Sequence, residues 1–418
     1  MRSVLSSVGA LLISAAVLLA GGGLLGTLIA VRAELEGFPL LAIGLMSSAY
    51  FAGFVVGCVF TPMLVKRVGH VRVFAALSSL IASCVLMHVL FVNVPVWVIL
   101  RFATGLGFAG LYILIESWIN EQAPNEKRGQ ILSIYRMVDL AAITTGQFML
   151  SLYDPSDFAL FSVVAICVCL AIFPISLSSS KAPIAVTNTS LNLKKLVRMS
   201  PLAVVGAFAV GLTNGSFWGM APVFVQLLGH PIVMVSLFMS VTIASGAILQ
   251  WPVGYLSDKF GRRQILILMA VGAVAAGGFL NYFATTSGIF LLTGGALYGV
   301  FAFQIYGLSA AHANDRAEPT EFVAISGGLL LVYGVGSVIG PSIAPLIMSA
   351  FGPSAMFAFT AFVHALLVVY AMFRVSQRAA PDESADYVTM PRPLSMALIL
   401  RTDPRNIIKR KRKLFRDR

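Results

Sequence analysis

Charge is scarce in this chain. Only 11% of its 418 residues are Asp, Glu, Lys or Arg, against about 25% in a soluble globular domain. That deficit excludes a water-soluble multidomain enzyme. It also excludes disorder over most of the length, because disordered chains are rich in charge. Cysteine is scarce too. Cys58, Cys84, Cys167 and Cys169 all fall in apolar stretches, without the spacing of a metal site or a disulfide framework. They read as small hydrophobes. The sequence holds no Gly-x-Ser-x-Gly elbow, no phosphate loop and no metal-ligand cluster. It therefore points away from an enzyme and from a nucleotide-driven pump, and neither a cofactor nor a metal is expected.

What is abundant is apolar sequence: 58% of residues, with a mean hydropathy of +0.90. The apolar runs are continuous rather than alternating. An open-edged sheet cannot cross lipid, so the runs read as helices and not as a barrel. About 20 residues span a bilayer. Twelve spans are predicted, over 6–31, 40–64, 71–92, 96–119, 129–152, 157–177, 201–228, 232–255, 264–284, 287–310, 321–348 and 354–375. The fold class is an all-α polytopic membrane protein. The first span is too long for a cleaved leader.

Basic residues set the orientation. With a cytoplasmic N-terminus, the inner loops hold thirteen Lys or Arg and the outer loops only Arg32, as the positive-inside rule requires. Both termini are expected on the cytoplasmic side of the membrane. A Ser- and Thr-rich loop, 178–200, separates two halves, 1–177 and 201–377. Residues 378–418 form a basic tail, expected to be disordered, with eleven Lys or Arg against five acids. The tail reads either as topological ballast or as a patch that docks on anionic lipid. No aromatic residue is interleaved within the basic run Lys409–Lys413 and no folded domain accompanies it, so nucleic acid is not an expected partner.

The halves repeat. Superposing Gly69, in Lys66-Arg67-Val68-Gly69, on Gly261, in Asp258-Lys259-Phe260-Gly261-Arg262-Arg263, gives an offset of 192 residues. Parallel six-helix repeats with a central binding site are a known transporter plan.

Few ionisable residues lie within the spans, and each such residue is costly in lipid. Arg101, Glu116, Arg136 and Asp139 all belong to the first half. Asp139 falls near the middle of span 5, with Arg136 one turn away, about 5 Å along the helix. Burial favours a protonated carboxyl and a neighbouring cation favours the carboxylate. Asp139 is therefore a candidate proton carrier, or else half of a permanent ion pair that fixes packing. Glu116 and Arg101 are further coupling candidates. For Glu116, a structural pairing with Arg128 or Arg136 is the competing reading. His88 and His364 read as packing residues.

Under the 192 offset, Gly21-Gly22-Gly23 and Gly26-Thr27 fall on Thr213-Asn214-Gly215 and Trp218-Gly219. Paired glycine interruptions point to a binding site, or else to close helix packing. Asn214, Phe217 and Trp218, beside these glycines, are candidate substrate contacts. Such a neutral, aromatic and amide-bearing set suits a small organic solute.

The segment Gly254–Arg263 resembles the G-x-x-x-D-x-x-G-R-R loop motif of the major facilitator superfamily. Arg101-Phe102-Ala103-Thr104-Gly105, Glu116-Ser117-Trp118-Ile119-Asn120-Glu121, Leu249-Gln250-Trp251-Pro252 and Ala313-Asn314-Asp315-Arg316 are similar to its bacterial YcaD-like branch. The resemblance implies two pseudo-symmetric six-helix bundles and secondary transport by alternating access, with proton coupling. It also implies substrate contacts on spans 1, 4, 7 and 10, which adds Tyr112, Tyr298, Gln304 and Tyr306 to the candidates, and an Arg101 with a role in coupling, an anion-binding role being open as well. An uncoupled facilitator is the close alternative, and a membrane sensor acting through the tail is a more distant one. The expected partners are a small-molecule substrate, lipid and protons, with the chain a monomer.

The resemblance further implies gating loops. Asp258, with Gly261, Arg262 and Arg263, is expected to meet the Arg128-Gly129 end of span 5. Lys66 stands where the superfamily has an acid, beside Arg67 and Gly69. A latch of reversed polarity, Lys66/Arg67 to Glu318/Glu321, is therefore expected, against a span-11 end that also carries Asp315. Span 5 lacks the Gly-x-x-x-Gly-Pro string of proton-coupled drug antiporters. A similar string, Gly336 to Pro341, falls in span 11.

Overall fold

The computed structural model describes residues 2–122, 128–176, 193–315, 317 and 322–377. The predicted spans are helices that are apolar all round, which is the pattern of membrane-embedded segments. The first bundle holds α1 (Arg2–Leu35), α2 (Leu40–Val68), α3 (His70–Leu90), α4 (Val94–Gln122), α5 (Arg128–Met149) and α6 (Ala159–Ser176). The second holds α8 (Pro201–Leu227), α9 (Ile232–Phe260), α10 (Arg262–Phe283), α11 (Gly288–Ala302), α12 (Ile305–Asn314), α13 (Phe322–Phe351) and α14 (Ala355–Gln377). A short α7 (Leu193–Met199) lies inside the segment expected to be a loop. The rest of that segment up to residue 192, and the tail 378–418, lie outside the described residues.

Eleven stretches are long and apolar enough to cross a membrane, α11 and α12 counting together as one. The twelfth predicted span, α5, is long enough but carries Arg128, Arg136 and Asp139. Span 10 was expected as one helix. It breaks at Phe303-Gln304 into α11 and α12.

The turns repeat with the 192 offset. Gly69 and Gly261 have φ of 86° and 93°, a region open to glycine and hostile to a Cβ. Each closes one helix, donating its N–H to Val65 O or Ser257 O, and opens the next. At the other end of the bundles Gly37 and Gly229, also 192 apart, have φ of 71° and 79°. Pro39 and Pro231 then precede α2 and α9.

Within the first bundle α2 packs on α4, and α1 on α5 and α6. Gly53 and Gly105 make the α2–α4 crossing close. A Cβ on Gly53 would collide with the Phe102 carbonyl, and one on Gly105 with that of Tyr50. In the second bundle α8 packs on α13, and α9 on α11. Gly336 and Gly340, in the string noted above, let α13 reach the α8 backbone.

The bundles meet through α2·α13, α5·α9 and α1·α8. Toward the Gly37/Gly229 end, Gln226 Nε2 donates to Glu34 Oε2 at 2.8 Å and to Val31 O at 3.3 Å. Ser48 and Ser342 share a hydrogen bond of 2.8 Å, and Ser151 and Ser236 one of 3.1 Å. The outer surface is studded with exposed apolar side chains such as Ile99, Ile166, Phe173, Ile248 and Val369, as lipid contact requires.

Candidate functional site

A cavity of about 260 Å³ lies between the bundles. Both bundles supply its wall. Gly22, Gly26 and Thr27 come from α1, Tyr50 from α2, Arg101 and Tyr112 from α4, and Arg136 and Asp139 from α5. Across from them stand Asn214 and Trp218 of α8, Gln250 of α9, Phe303, Gln304 and Tyr306 at the break, and Tyr333 of α13.

Glycine gives the α1 wall its shape. A Cβ on Gly22 would come 2.7 Å from the Tyr112 hydroxyl, whereas one on Gly26 would meet nothing within 4 Å. Gly219 instead permits contact between bundles, since its Cβ would lie 2.7 Å from Ser47. The two glycine readings therefore divide by position: Gly26 opens space and Gly219 allows packing.

The spacing of three places Arg136 and Asp139 on one face of α5. Arg136 Nη1 donates to Asp139 Oδ2 at 2.5 Å. The Asp139 side chain is 1% exposed and that of Arg136 20%. Arg136 Nη2 also reaches Gln250 Oε1 at 3.4 Å, so one guanidinium touches a carboxylate in its own helix and an amide in the opposite bundle.

Arg101 is buried, and its guanidinium lies 4.3 Å from the centroid of the Tyr50 ring. Glu116 is buried but lies off the cavity wall. The Tyr135 hydroxyl donates to it at 3.3 Å, whereas Arg136 turns to Asp139.

The seven expected substrate contacts separate into two layers. Asn214, Trp218, Gln304, Tyr112 and Tyr306 line the cavity. Phe217 and Tyr298 do not. Both are fully buried behind the wall, stacked on each other with ring centroids 5.5 Å apart. One residue along a helix is a rotation of about 100°, which turns Phe217 away where Trp218 turns in. Trp218 stacks on Phe303 at 6.2 Å, and Tyr306 meets Tyr333 edge-on at 5.2 Å. Gln304 Nε2, at the helix break, donates to Gly246 O of α9 at 2.7 Å. Asn214 Oδ1 is buried and makes no hydrogen bond among the described residues.

Tyr50, Phe303 and Tyr333 were missed by sequence reasoning. Gln250 was noted only as part of a motif. A lone Gln in an apolar run was its available signal. The aromatic residues gave none, because helices this uniform do not show which face turns inward.

In the loops, Asp258 Oδ1 pairs with Arg262 at 3.0 Å, and Arg262 Nε with Asp315 Oδ2 at 2.7 Å. Asp315 was expected to face the first bundle's basic loop. Instead it caps a network inside its own bundle, because α12 ends beside the start of α10. Arg263 is half-buried, and Lys66, Arg67, Gly69 and Gly261 are exposed. Glu318 and Glu321, and the Arg128 and Gly129 side-chain positions, lie outside the described residues. His88 and His364 are buried. Among the described residues no cluster of His, Cys, Asp or Glu is arranged to hold a metal.

Two bundles around a shared central cavity define the architecture of a membrane transporter. Residues 11–330 match the family model of the Major Facilitator Superfamily, and the chain belongs to that family. A protein of Salmonella typhi described as an uncharacterized MFS-type transporter, YcaD, is 29% identical over 365 residues, covering 85% of this chain and 93% of the relative. Its counterpart in Salmonella newport is equally similar. The fold matches that of the nucleoside transporter NupG, with a TM-score of 0.73 at 15% identity over 89% of this chain and 99% of that one. It also matches a D-xylose–proton symporter, with a TM-score of 0.67 at 15% identity over 91% and 98%. A bacterial homologue of the lysosomal transporter Spinster, inward-facing and occupied, gives a TM-score of 0.72 at 14% identity over 90% and 98%. The chain is thus an integral membrane protein with a transporter fold.

Proposed function

We propose that this chain is a secondary active transporter of a small organic solute in the bacterial cytoplasmic membrane, working by alternating access and coupled to protons. Both termini face the cytoplasm, which makes the Gly37/Gly229 end the outer one. The ties Glu34–Gln226, Ser48–Ser342 and Ser151–Ser236 then hold the outer end shut, and the conformation is inward-facing. The monomer suffices, since one chain supplies both walls of the cavity.

The carrying observation is the bridge made by Arg136 between Asp139 and Gln250. Rocking α5 against α9 strains or breaks the Gln250 contact and so changes how tightly Arg136 holds the Asp139 carboxylate. A carboxylate that loses its cation in a low-dielectric cavity takes up a proton. Conformation and protonation are then linked through one side chain. In the outward-facing state Asp258 moves to the end of α5, where a carboxylate is favourable at a helix N-terminus, and Lys66/Arg67 meet Glu318/Glu321. The aromatic wall and the Asn214 and Gln304 amides accommodate the solute.

The test begins with a thermal-stabilisation screen of the purified protein against a metabolite library. Stabilising solutes then go to proteoliposomes, for counterflow and for uptake driven by a pH gradient. Asp139→Asn should retain counterflow and lose accumulation. Normal accumulation by that variant would rule out coupling through Asp139. Absence of counterflow for every stabilising solute would contradict transport itself.

A further inference from the structure

We infer that the cargo is an organic anion whose anionic group is taken by Arg101. This inference rests on the cavity being the cargo site.

Three charged side chains line the cavity: Arg101, Arg136 and Asp139. Arg136 and Asp139 answer each other. Arg101 has no such answer. It is 5% exposed, and no carboxylate among the described residues lies within salt-bridge distance of it. Its Nε is buried without a hydrogen-bond partner. The Tyr50 ring covers one face of the guanidinium at 4.3 Å. A ring face attracts the cation but cannot accept the N–H bonds that leave the guanidinium in its own plane. Arg101 is thus fixed in orientation by stacking, with its Nε–H unsatisfied and an excess positive charge on the wall.

An unpaired buried cation is expensive, and a planar guanidinium is the natural fork for a carboxylate. An anion that enters the cavity removes that expense, so charge selects it over a neutral isostere. The remaining wall specifies the rest of the molecule. Trp218, Phe303, Phe54 and Tyr112 offer aromatic surface, which an inorganic anion would leave unfilled. Asn214 Oδ1, buried and lacking a donor, accepts from a hydroxyl or N–H on the cargo. The chemical class is therefore a small monoanion with a flat apolar body and a hydrogen-bond donor.

The probes are 4-hydroxybenzoate and its neutral isostere 4-hydroxybenzamide. Their binding to the detergent-purified full chain is measured by equilibrium dialysis at about pH 7, where the carboxylate is ionised. The carboxylate should bind at least tenfold more tightly than the amide. Arg101→Gln should abolish that preference, and Arg101→Lys should keep part of it. Equal affinities in the wild-type protein, no carboxylate binding, or an undiminished preference in Arg101→Gln would each overturn the inference. The wild-type comparison decides even where Arg101→Gln does not fold. Trp218→Ala separates the two levels of the claim. If carboxylate and amide bind equally and both are weakened by Trp218→Ala, the anion inference fails while the cavity survives as the cargo site. Binding indifferent to both Arg101→Gln and Trp218→Ala overturns the cavity reading as well.

Discussion

Glu34 and Gln226 occupy equivalent positions in the two halves, 192 residues apart, and they bond to each other at 2.8 Å across the ends of α1 and α8. The pseudo-twofold axis of the molecule thus passes close to a single hydrogen bond. A bond to a charged acceptor at a partly exposed site contributes about 1 kcal/mol. Removing it in Glu34→Ala should raise the population open at that end roughly fivefold. The readout is the alkylation rate of a cysteine introduced by Ser47→Cys, a buried position against Gly219, using a membrane-impermeant reagent applied from outside. An unchanged rate would show that this bond does not hold the end shut.

The Arg136–Asp139 pair makes a thermodynamic statement as well as a functional one. Arg136→Gln leaves the buried Asp139 without its cation, and breaking a buried pair from one side costs about 3–5 kcal/mol. Arg136→Gln combined with Asp139→Asn removes both charges and should recover most of that loss. Thermal unfolding in detergent compares the three variants. If the double variant is as unstable as the sum of the singles, the pair is not an isolated couple.

Much of this architecture was legible in the sequence. Gly69 and Gly261 announced the repeat, because only glycine readily closes a helix with a φ near 90°. The i,i+3 spacing of Arg136 and Asp139 alone puts them on one helix face. Helix phase was not legible. Phe217 and Trp218 are adjacent aromatics in an apolar run, and which of them turns inward depends on what packs behind. The break in span 10 was equally hidden, since Phe303-Gln304 contains neither proline nor glycine. It is held by a long-range bond from Gln304 to Gly246 O, which periodicity cannot reveal. Asp315 misled for a related reason: its partner Arg262 lies 53 residues earlier, on another helix.

The two layers of aromatic residues should separate experimentally. Phe217→Ala removes a fully buried ring that touches Trp218, Tyr298, Phe238 and Phe303, and should destabilise the fold by about 3–5 kcal/mol. Trp218→Ala should be milder for stability and more damaging to solute binding. Thermal unfolding and solute affinity, measured on both variants, should rank them in opposite orders. The same order in both measurements would place the two rings in one layer.

The α2–α4 crossing carries a consequence for Arg101. A side chain at Gly105 would strike the Tyr50 carbonyl, and Tyr50 supplies the ring that holds Arg101. Gly105→Val should therefore separate the helices, lower the unfolding temperature and disorder the guanidinium. Gly9→Val, where an added Cβ meets nothing within 4 Å, is the matched control. Comparable stability of the two variants would show that the crossing is not tight.

Alternating access is tested most directly by paired spin-label distances in a cysteine-free background. Leu35 and Leu227 are exposed equivalents at one end, and Val68 and Phe260 are exposed equivalents at the other. Gln226→Glu sets a second carboxylate against Glu34 and should drive that end apart. The expected result is a longer Leu35–Leu227 distance together with a shorter Val68–Phe260 distance. Both distances unchanged, or both moving in the same direction, would contradict two rigid bundles rocking about a shared cavity.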